Sequence, residues 1–158
     1  MDATTLRKTV WEEMLTAQMR SSYFAELVRH YLQFDRALRV VTLIASSGAI
    51  ATALSQMNPA VKLVAPVLAT AASFWLLISQ YGTMARDASD LHGGWSVAAR
   101  DYERLWNNLD AEDAEKQYLQ IYDRAEALSK SGTKFPNKKD RLSYWLDQAA
   151  TMATSRYA

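Results

Sequence analysis

The residues best suited to acid–base or metal chemistry are few in this chain and lie far apart. Its two histidines are His30 and His92, and neither has a carboxylate at the spacing of a metal-ligand pair. Glu12 and Glu13 are adjacent, and adjacent positions on a helix do not face each other, so these carboxyl groups fit a solvated face better than an acid–base pair. The sequence contains no phosphate-binding loop, dinucleotide fingerprint or nucleophile elbow. We therefore expect a non-enzymatic protein without a metal or another cofactor.

The composition narrows the possible partners further. The 158 residues include 18 lysines and arginines against 17 aspartates and glutamates, so no excess of positive charge favours a nucleic acid. There is no cysteine, which excludes disulfides, thiol catalysis and a cysteine-ligated metal. A chain of this length forms one compact unit, or one small domain attached to a membrane hairpin.

Two long stretches without a charged residue determine how the other segments must be arranged. They cover residues 40–61 and 63–85 and are separated by Lys62. Each is long enough to supply the ~20 mostly apolar residues that a helix needs to cross a bilayer. The polar, helix-breaking sequence Gln56-Met57-Asn58-Pro59 suits the tip between them. The pattern predicts a two-pass transmembrane hairpin with spans over residues 40–57 and 63–85. The alternative is a soluble bundle that buries both helices in its core.

Basic residues near the ends of the spans predict the orientation of the hairpin. Arg29, Arg36 and Arg39 precede the first span, Arg86 follows the second, and the tip carries Lys62 alone. Because basic residues favour the cytoplasmic side, both termini are expected in the cytoplasm.

The segments on either side of the hairpin have helical periodicity, and no strand pattern stands out, so the sequence predicts an all-α protein. Apolar residues recur at three- and four-residue steps from Leu6 to Leu38, which predicts one helix that continues into the first span. The predicted segments are an N-terminal cytoplasmic amphipathic helix (residues 1–39), the hairpin (40–85) and C-terminal cytoplasmic helices (86–158).

Glycine, proline and capping residues divide the C-terminal segment. Gly93-Gly94 is expected to break the helix that follows the second span, and the acidic run over residues 110–113 is expected to cap a later helix. That helix is expected to end near Ser131-Gly132, and Asn137 is expected to cap a final helix after Phe135-Pro136. The apolar face of the final helix is expected to consist of Leu142, Trp145, Ala149 and Met152.

Three groups of residues are candidates for function at a membrane. Small and hydroxyl-bearing side chains allow close helix approach in lipid or line a pore, and the alternative is that they only pack the hairpin against itself. The candidates for pore lining or helix packing are Thr42, Ser46, Gly48, Thr52, Ser55, Gln56, Thr70 and Ser73. The candidate anchors at the membrane interface are Tyr31, Phe34, Arg36, Arg39, Tyr81 and Arg86. A basic loop, which is either solvated or in contact with anionic headgroups or a nucleotide, consists of Lys130, Lys134, Lys138, Lys139 and Arg141.

The order of these segments carries a resemblance to a known family. A helix rich in arginine and aromatic residues, from Tyr23-Phe24-Ala25-Glu26 to Arg29-His30-Tyr31, leads into the first span, and a short tip and an aromatic-rich second span follow. After the second span come His92, Trp95 and Tyr102-Glu103-Arg104-Leu105-Trp106 in a further amphipathic helix. From about Thr9 to Leu128 this layout resembles the SLATT family, two-transmembrane effector domains associated with SMODS and SLOG nucleotide-signalling systems in bacteria.

The resemblance implies a function that the residues alone do not determine. It implies a homo-oligomeric effector of antiviral defence, which forms a pore in the bacterial inner membrane or depolarises it. A sensor protein or a nucleotide signal would be the trigger. The alternative function is a non-enzymatic membrane adaptor that docks a partner protein through its cytoplasmic helices.

Overall fold

The computed structural model describes residues 2–46 and 80–157, together with residues 70–71 and 74–75. The helices are α1 (Ala3–Ser46), α2 (Tyr81–Trp106), α3 (Ala114–Ser131) and α4 (Lys139–Tyr157), and a 3-10 turn (Gly132–Lys134) follows α3. The residues at 70–71 and 74–75 are also helical, and no strand occurs in any of these ranges. The prediction of an all-α protein is therefore confirmed.

The long first helix follows the sequence pattern closely. Helix α1 runs for 44 residues without a break, because no glycine or proline interrupts it and its apolar residues return every three or four positions. Its buried face includes Leu6, Val10, Met14 and Phe24. The predicted continuation of this helix beyond Leu38 is confirmed as far as Ser46.

By its contacts the chain forms two compact units, residues 1–26 with 87–158 and residues 27–86. The first, which we call the bundle unit, packs the N-terminal part of α1 and most of α2 with α3 and α4 around an apolar core. The largest side chains that are fully buried there are Tyr102, Met14, Leu105 and Val10. Helices α2 and α3 also contribute to this core, through Ala98 and Ile121 among others.

The predicted break at Gly93-Gly94 is wrong, because α2 continues through both glycines. A Cβ atom at position 94 would lie only 2.5 Å from Cδ2 of Leu128. Gly94 therefore lets α2 and α3 approach closely, and the absent side chain serves packing rather than a turn. A Cβ atom at position 93 would meet nothing within 4 Å.

Local predictions near the ends of α3 and α4 were partly wrong. Helix α3 ends at Ser131 as predicted, but Asp113 makes no side-chain cap at its start. Instead, Oδ2 of Asp113 accepts a hydrogen bond of 2.8 Å from Nε2 of Gln117. The predicted cap at Asn137 is wrong as well, because α4 begins at Lys139 and the carbonyl of Lys138 accepts the bonds from the N–H groups of Arg141 and Leu142. Lys138 therefore occupies the capping position. On the face of α4, Ala149 is buried as predicted, whereas Met152 is exposed.

The second unit contains the predicted hairpin, and most of that hairpin lies outside the described residues, at 47–69, 72–73 and 76–79. Among the helical segments that can be described, none combines the length and apolarity needed to cross a bilayer.

Candidate functional site

The predicted pore-lining residues are placed only in part. Gly48, Thr52, Ser55, Gln56 and Ser73 lie outside the described residues, while Ser46 and Thr70 are helical. The hydroxyl of Thr42 donates to the carbonyl of Leu38, at 2.9 Å, one turn back in the same helix. That bond uses the only donor of Thr42, so its oxygen is left to accept hydrogen bonds from a neighbouring helix.

The predicted interface residues include an aromatic group that the structure brings together within the second unit. The ring of Tyr81, at the start of α2, lies 6.2 Å from the ring of Tyr31 and 5.8 Å from that of Phe34. The ring of His30 lies 4.8 Å from that of Phe34. These side chains form one patch of aromatic rings with polar edges, as residues at a lipid headgroup layer do.

The arginines predicted beside the spans differ in their surroundings. Nε of Arg39 lies 2.8 Å from a carboxylate oxygen of Asp35, one turn earlier in α1. Arg36 and Arg86 are exposed. Two of the three charges are thus available at the surface of this unit.

Most side chains of the predicted basic loop have acidic partners in the bundle unit. Nζ of Lys130 lies 2.7 Å from Glu126. Lys134 pairs with Asp87, and Nε of Arg141 lies 3.5 Å from Glu26. In contrast, Lys138 and Lys139 are exposed and have no ion pair among the described residues. These two lysines are the members of the loop that remain free to attract an anion.

The bundle unit contains a serine–histidine contact between α1 and α2. Oγ of Ser21 lies 3.1 Å from Nδ1 of His92, and 2.7 Å from Oγ of Ser96. The same Nδ1 atom lies 2.9 Å from the carbonyl oxygen of Ser21, which can only accept. We infer that Nδ1 carries the proton and donates it to the carbonyl, so it cannot take a proton from the hydroxyl. The contact therefore joins α1 to α2 and does not activate a nucleophile. His92 lies inside α2, because this helix continues past the predicted break at Gly93-Gly94.

The tryptophans of the bundle unit mostly serve packing. Trp95 is buried. Nε1 of Trp145 donates to Oε2 of Glu26 at 2.7 Å, which ties α4 to α1. Trp106 belongs to a partly open cluster in which its ring lies 5.0 Å from that of Trp11 and 6.3 Å from that of Tyr157.

The open side of this aromatic cluster adjoins a shallow cavity of about 520 Å³. The guanidinium of Arg7 lies 5.5 Å from the centre of the Trp106 ring, so one cation already covers part of the aromatic surface. This end of the bundle unit offers aromatic rings beside a positive charge, which is the composition of many protein-binding surfaces.

Arg20 was not among the residues predicted from the sequence, and its surroundings in the structure are unusual. Arg20 lies on the inner side of α1, where its guanidinium is 4.9 Å from the centre of the buried Trp95 ring. Its Nη1 donates to Oγ of Ser129 at 3.2 Å, whereas its Nε is buried and has no partner among the described residues. The available signal was the position of Arg20, three residues after Ala17 and four before Phe24, within the apolar face of α1.

Comparison of the chain with protein-family models, with curated proteins and with solved structures found no match in any of the three.

Proposed function

We propose that this protein is a homo-oligomeric membrane effector that permeabilises or depolarises the bacterial inner membrane. In this proposal, residues 40–57 and 63–85 form a two-pass hairpin, and the bundle unit lies in the cytoplasm. A partner protein or a nucleotide signal that reaches the bundle unit would trigger the hairpin to open. The protein would act without enzymatic chemistry.

The observation that carries the proposal is a set of exposed apolar side chains on the described helical residues of the two predicted spans. Leu43 is 69% exposed and Ile44 53%, while Phe74 is 62% and Trp75 59% exposed. Each Å² of apolar surface in water costs about 25 cal/mol relative to an apolar surrounding, so such side chains need a cover. Hydrocarbon supplies that cover for a whole helix, and the sequence of both predicted spans contains no charged residue that would oppose it.

The step from anchoring to permeation rests on the residue types in the spans. Gly48 and Thr52 are four positions apart in the sequence, and small or hydroxyl-bearing residues at that spacing support helix association in lipid when the segment is helical. Neither span contains a charged residue that could form a selective ring, so a pore is expected to discriminate weakly between ions.

A second candidate function, a membrane adaptor, is favoured by the open cluster of Trp11, Trp106 and Tyr157. Aromatic residues are enriched at the centres of protein interfaces. Arg7 at the edge of the cluster would suit an acidic partner segment. An adaptor would share the membrane hairpin but would not conduct ions.

Two experiments separate these functions. The full chain, expressed in bacteria, should stay in the membrane pellet after an alkaline carbonate wash, and release into the supernatant would refute both functions. The purified protein in liposomes should then release an entrapped dye. Gly48→Leu and Thr52→Leu should reduce both leakage and oligomer formation, whereas the matched changes Gly93→Leu and Thr151→Leu, at exposed positions of the bundle unit, should not. Leakage that is absent from the wild type, with a partner retained through the bundle unit, would favour the adaptor.

A further inference from the structure

We propose that a cavity beside Arg20 in the bundle unit binds a small organic anion, a carboxylate or a phosphate monoester that also carries a short apolar or aromatic group. The site lies between α1, the end of α3 and the segment that connects α3 to α4. The proposed anion site goes beyond the function proposed above, because all of its residues belong to the bundle unit. It is therefore independent of whether the hairpin forms a pore.

Arg20 is a partly buried cation without a carboxylate partner among the described residues. Arg20 forms no ion pair with any described residue, and the nearest acidic influence on it is Glu13, two helical turns earlier. Burial lowers the pKa of Arg20, and the negative charge of Glu13 opposes this effect. Buried charges in proteins are normally paired, so an unpaired guanidinium in such a position calls for an anion.

The guanidinium group of Arg20 is held in one orientation by an aromatic ring. Trp95 lies against Arg20, at 4.9 Å from ring centre to guanidinium carbon, and this contact restricts the group. An arginine held in this manner presents its N–H donors in a fixed fork, which matches the oxygens of a carboxylate or a phosphate. Ser129 accepts one hydrogen bond from Nη1, whereas Nε is fully buried without an acceptor among the described residues. The donors offered to an anion in the cavity are therefore the remaining N–H groups of Nη1 and Nη2.

The cavity beside Arg20 has a volume of about 320 Å³. Its polar lining beside Arg20 comes from Ser129, Thr133 and Asn137, and no carboxylate lines it. Phe24, Phe135 and Leu142 contribute apolar walls. The volume lies at the lower end of the range of small-molecule sites, ~300–1,000 Å³, so the cavity suits a small ligand with one charged and one apolar end.

Two exposed lysines add positive charge next to the cavity. Lys138 and Lys139 directly follow the lining residue Asn137, and both are exposed without an ion pair among the described residues. Positive charges at the rim of a cleft raise the local concentration of anions and speed their entry. The basic loop that the sequence singled out therefore contributes to the site mainly through these two lysines.

To test the proposal, the purified full chain in non-ionic detergent is titrated with small probes, and isothermal titration calorimetry measures the binding. The probes are benzoate and phenyl phosphate, which distinguish the two anion classes, and benzyl alcohol, which has the ring without the charge; empty micelles provide the blank. At least one anion should bind saturably, and benzyl alcohol should bind at least tenfold more weakly. Arg20→Met should weaken anion binding about tenfold or more, because it removes the charge-assisted hydrogen bonds. Arg100→Met, a matched change at an exposed arginine of α2, should leave binding unchanged.

A second variant tests the cavity without changing Arg20. Asn137→Asp places a negative charge in the lining of the cavity at an exposed position, and it should also weaken binding about tenfold. The proposal is overturned if neither anion binds above the blank or if benzyl alcohol binds as well as the anions. It is overturned too if Arg20→Met and Asn137→Asp, or whichever of them folds, bind the anion as tightly as the wild type. It is also overturned if Arg100→Met weakens binding as much as the cavity variants. None of these outcomes depends on dye leakage, so the pore and the anion site can fail separately.

Discussion

Two neighbouring glycines in α2 provide a sharp test of the packing between α2 and α3. Alanine at position 94 would bring Cβ to 2.5 Å from Cδ2, 3.2 Å from Cδ1 and 3.4 Å from Cγ of Leu128. Alanine at position 93 would meet no atom within 4 Å. Both substitutions make the same chemical change in the same helix, so their difference isolates the contact with Leu128.

The expected magnitudes follow from two opposing effects. Replacing glycine with alanine inside a helix stabilises it by about 0.8–1 kcal/mol, and both variants gain this. Gly94→Ala also overpacks the α2–α3 contact, which typically costs about 1–3 kcal/mol. The lower half of that range applies here, because Leu128 is only half-buried and borders a groove of about 410 Å³ into which its side chain can turn. Gly93→Ala should therefore raise the free energy of unfolding by about 1 kcal/mol, and Gly94→Ala should leave it unchanged or lower it by about 1 kcal/mol.

Thermal denaturation followed by far-UV circular dichroism can measure the difference, since 1 kcal/mol shifts the Tm of a protein of this size by about 2–4 °C. Leu128→Ala provides the control. In the Leu128→Ala background, Gly94→Ala should become as stabilising as Gly93→Ala, which gives a coupling free energy of about 1–2 kcal/mol in a double-mutant cycle. If Gly93→Ala and Gly94→Ala raise the Tm equally in the wild-type background, the close approach at Gly94 is refuted.

Two further substitutions test buried polar groups in the bundle unit. Tyr102→Phe removes a fully buried hydroxyl that has no hydrogen-bond partner among the described residues. It should therefore raise the free energy of unfolding in urea by about 1 kcal/mol. A decrease in this free energy by a similar amount would mean that the hydroxyl has a hydrogen-bond partner. Burial raises the pKa of Glu13, against the lowering effect of Arg20 and with a smaller raising effect of Glu12. A carboxyl group with a raised pKa stabilises the fold while it is protonated, and this contribution is lost as the pH rises from the ordinary pKa of 4.5 through the folded value. Glu13→Gln should therefore raise the Tm at pH 7 and have little effect below pH 4.5, and an equal gain at both would contradict the assignment.

The helices themselves could largely be predicted from the sequence. Continuous apolar periodicity without glycine or proline is a local property, and it was sufficient to predict that α1 passes beyond Leu38. The same local reasoning failed at Gly93-Gly94. There, the function of the second glycine depends on Leu128, which lies 34 positions further along the chain and enters only when α2 and α3 pack.

The candidate cavity could not be predicted for the same reason. Arg20 contacts Ser129 across 109 positions, and its contact with Trp95 also joins separate helices. Neither pairing follows from periodicity, and the charge of Arg20 within an apolar face was an available signal that was not used. The basic loop was recognised from its composition, but composition does not indicate that Lys130, Lys134 and Arg141 pair with acidic residues while Lys138 and Lys139 do not.

The buried polar atoms of the bundle unit explain why stability alone does not account for Arg20. Nε of Arg20, Nε1 of Trp95 and Oη of Tyr102 are all buried without a partner among the described residues, and each such group costs about 1–3 kcal/mol. An apolar side chain at position 20 would fill similar space without that cost, and unsatisfied groups that persist are expected at functional sites. Tyr102 serves as the internal comparison, because it shares the penalty but does not line the cavity. Tyr102→Phe and Arg20→Met should both raise the Tm of the unliganded protein, and Arg20→Met alone should lose anion binding. If Tyr102→Phe weakened anion binding to the same extent, the three groups would form one coupled core network, and the assignment of the anion to Arg20 would be wrong.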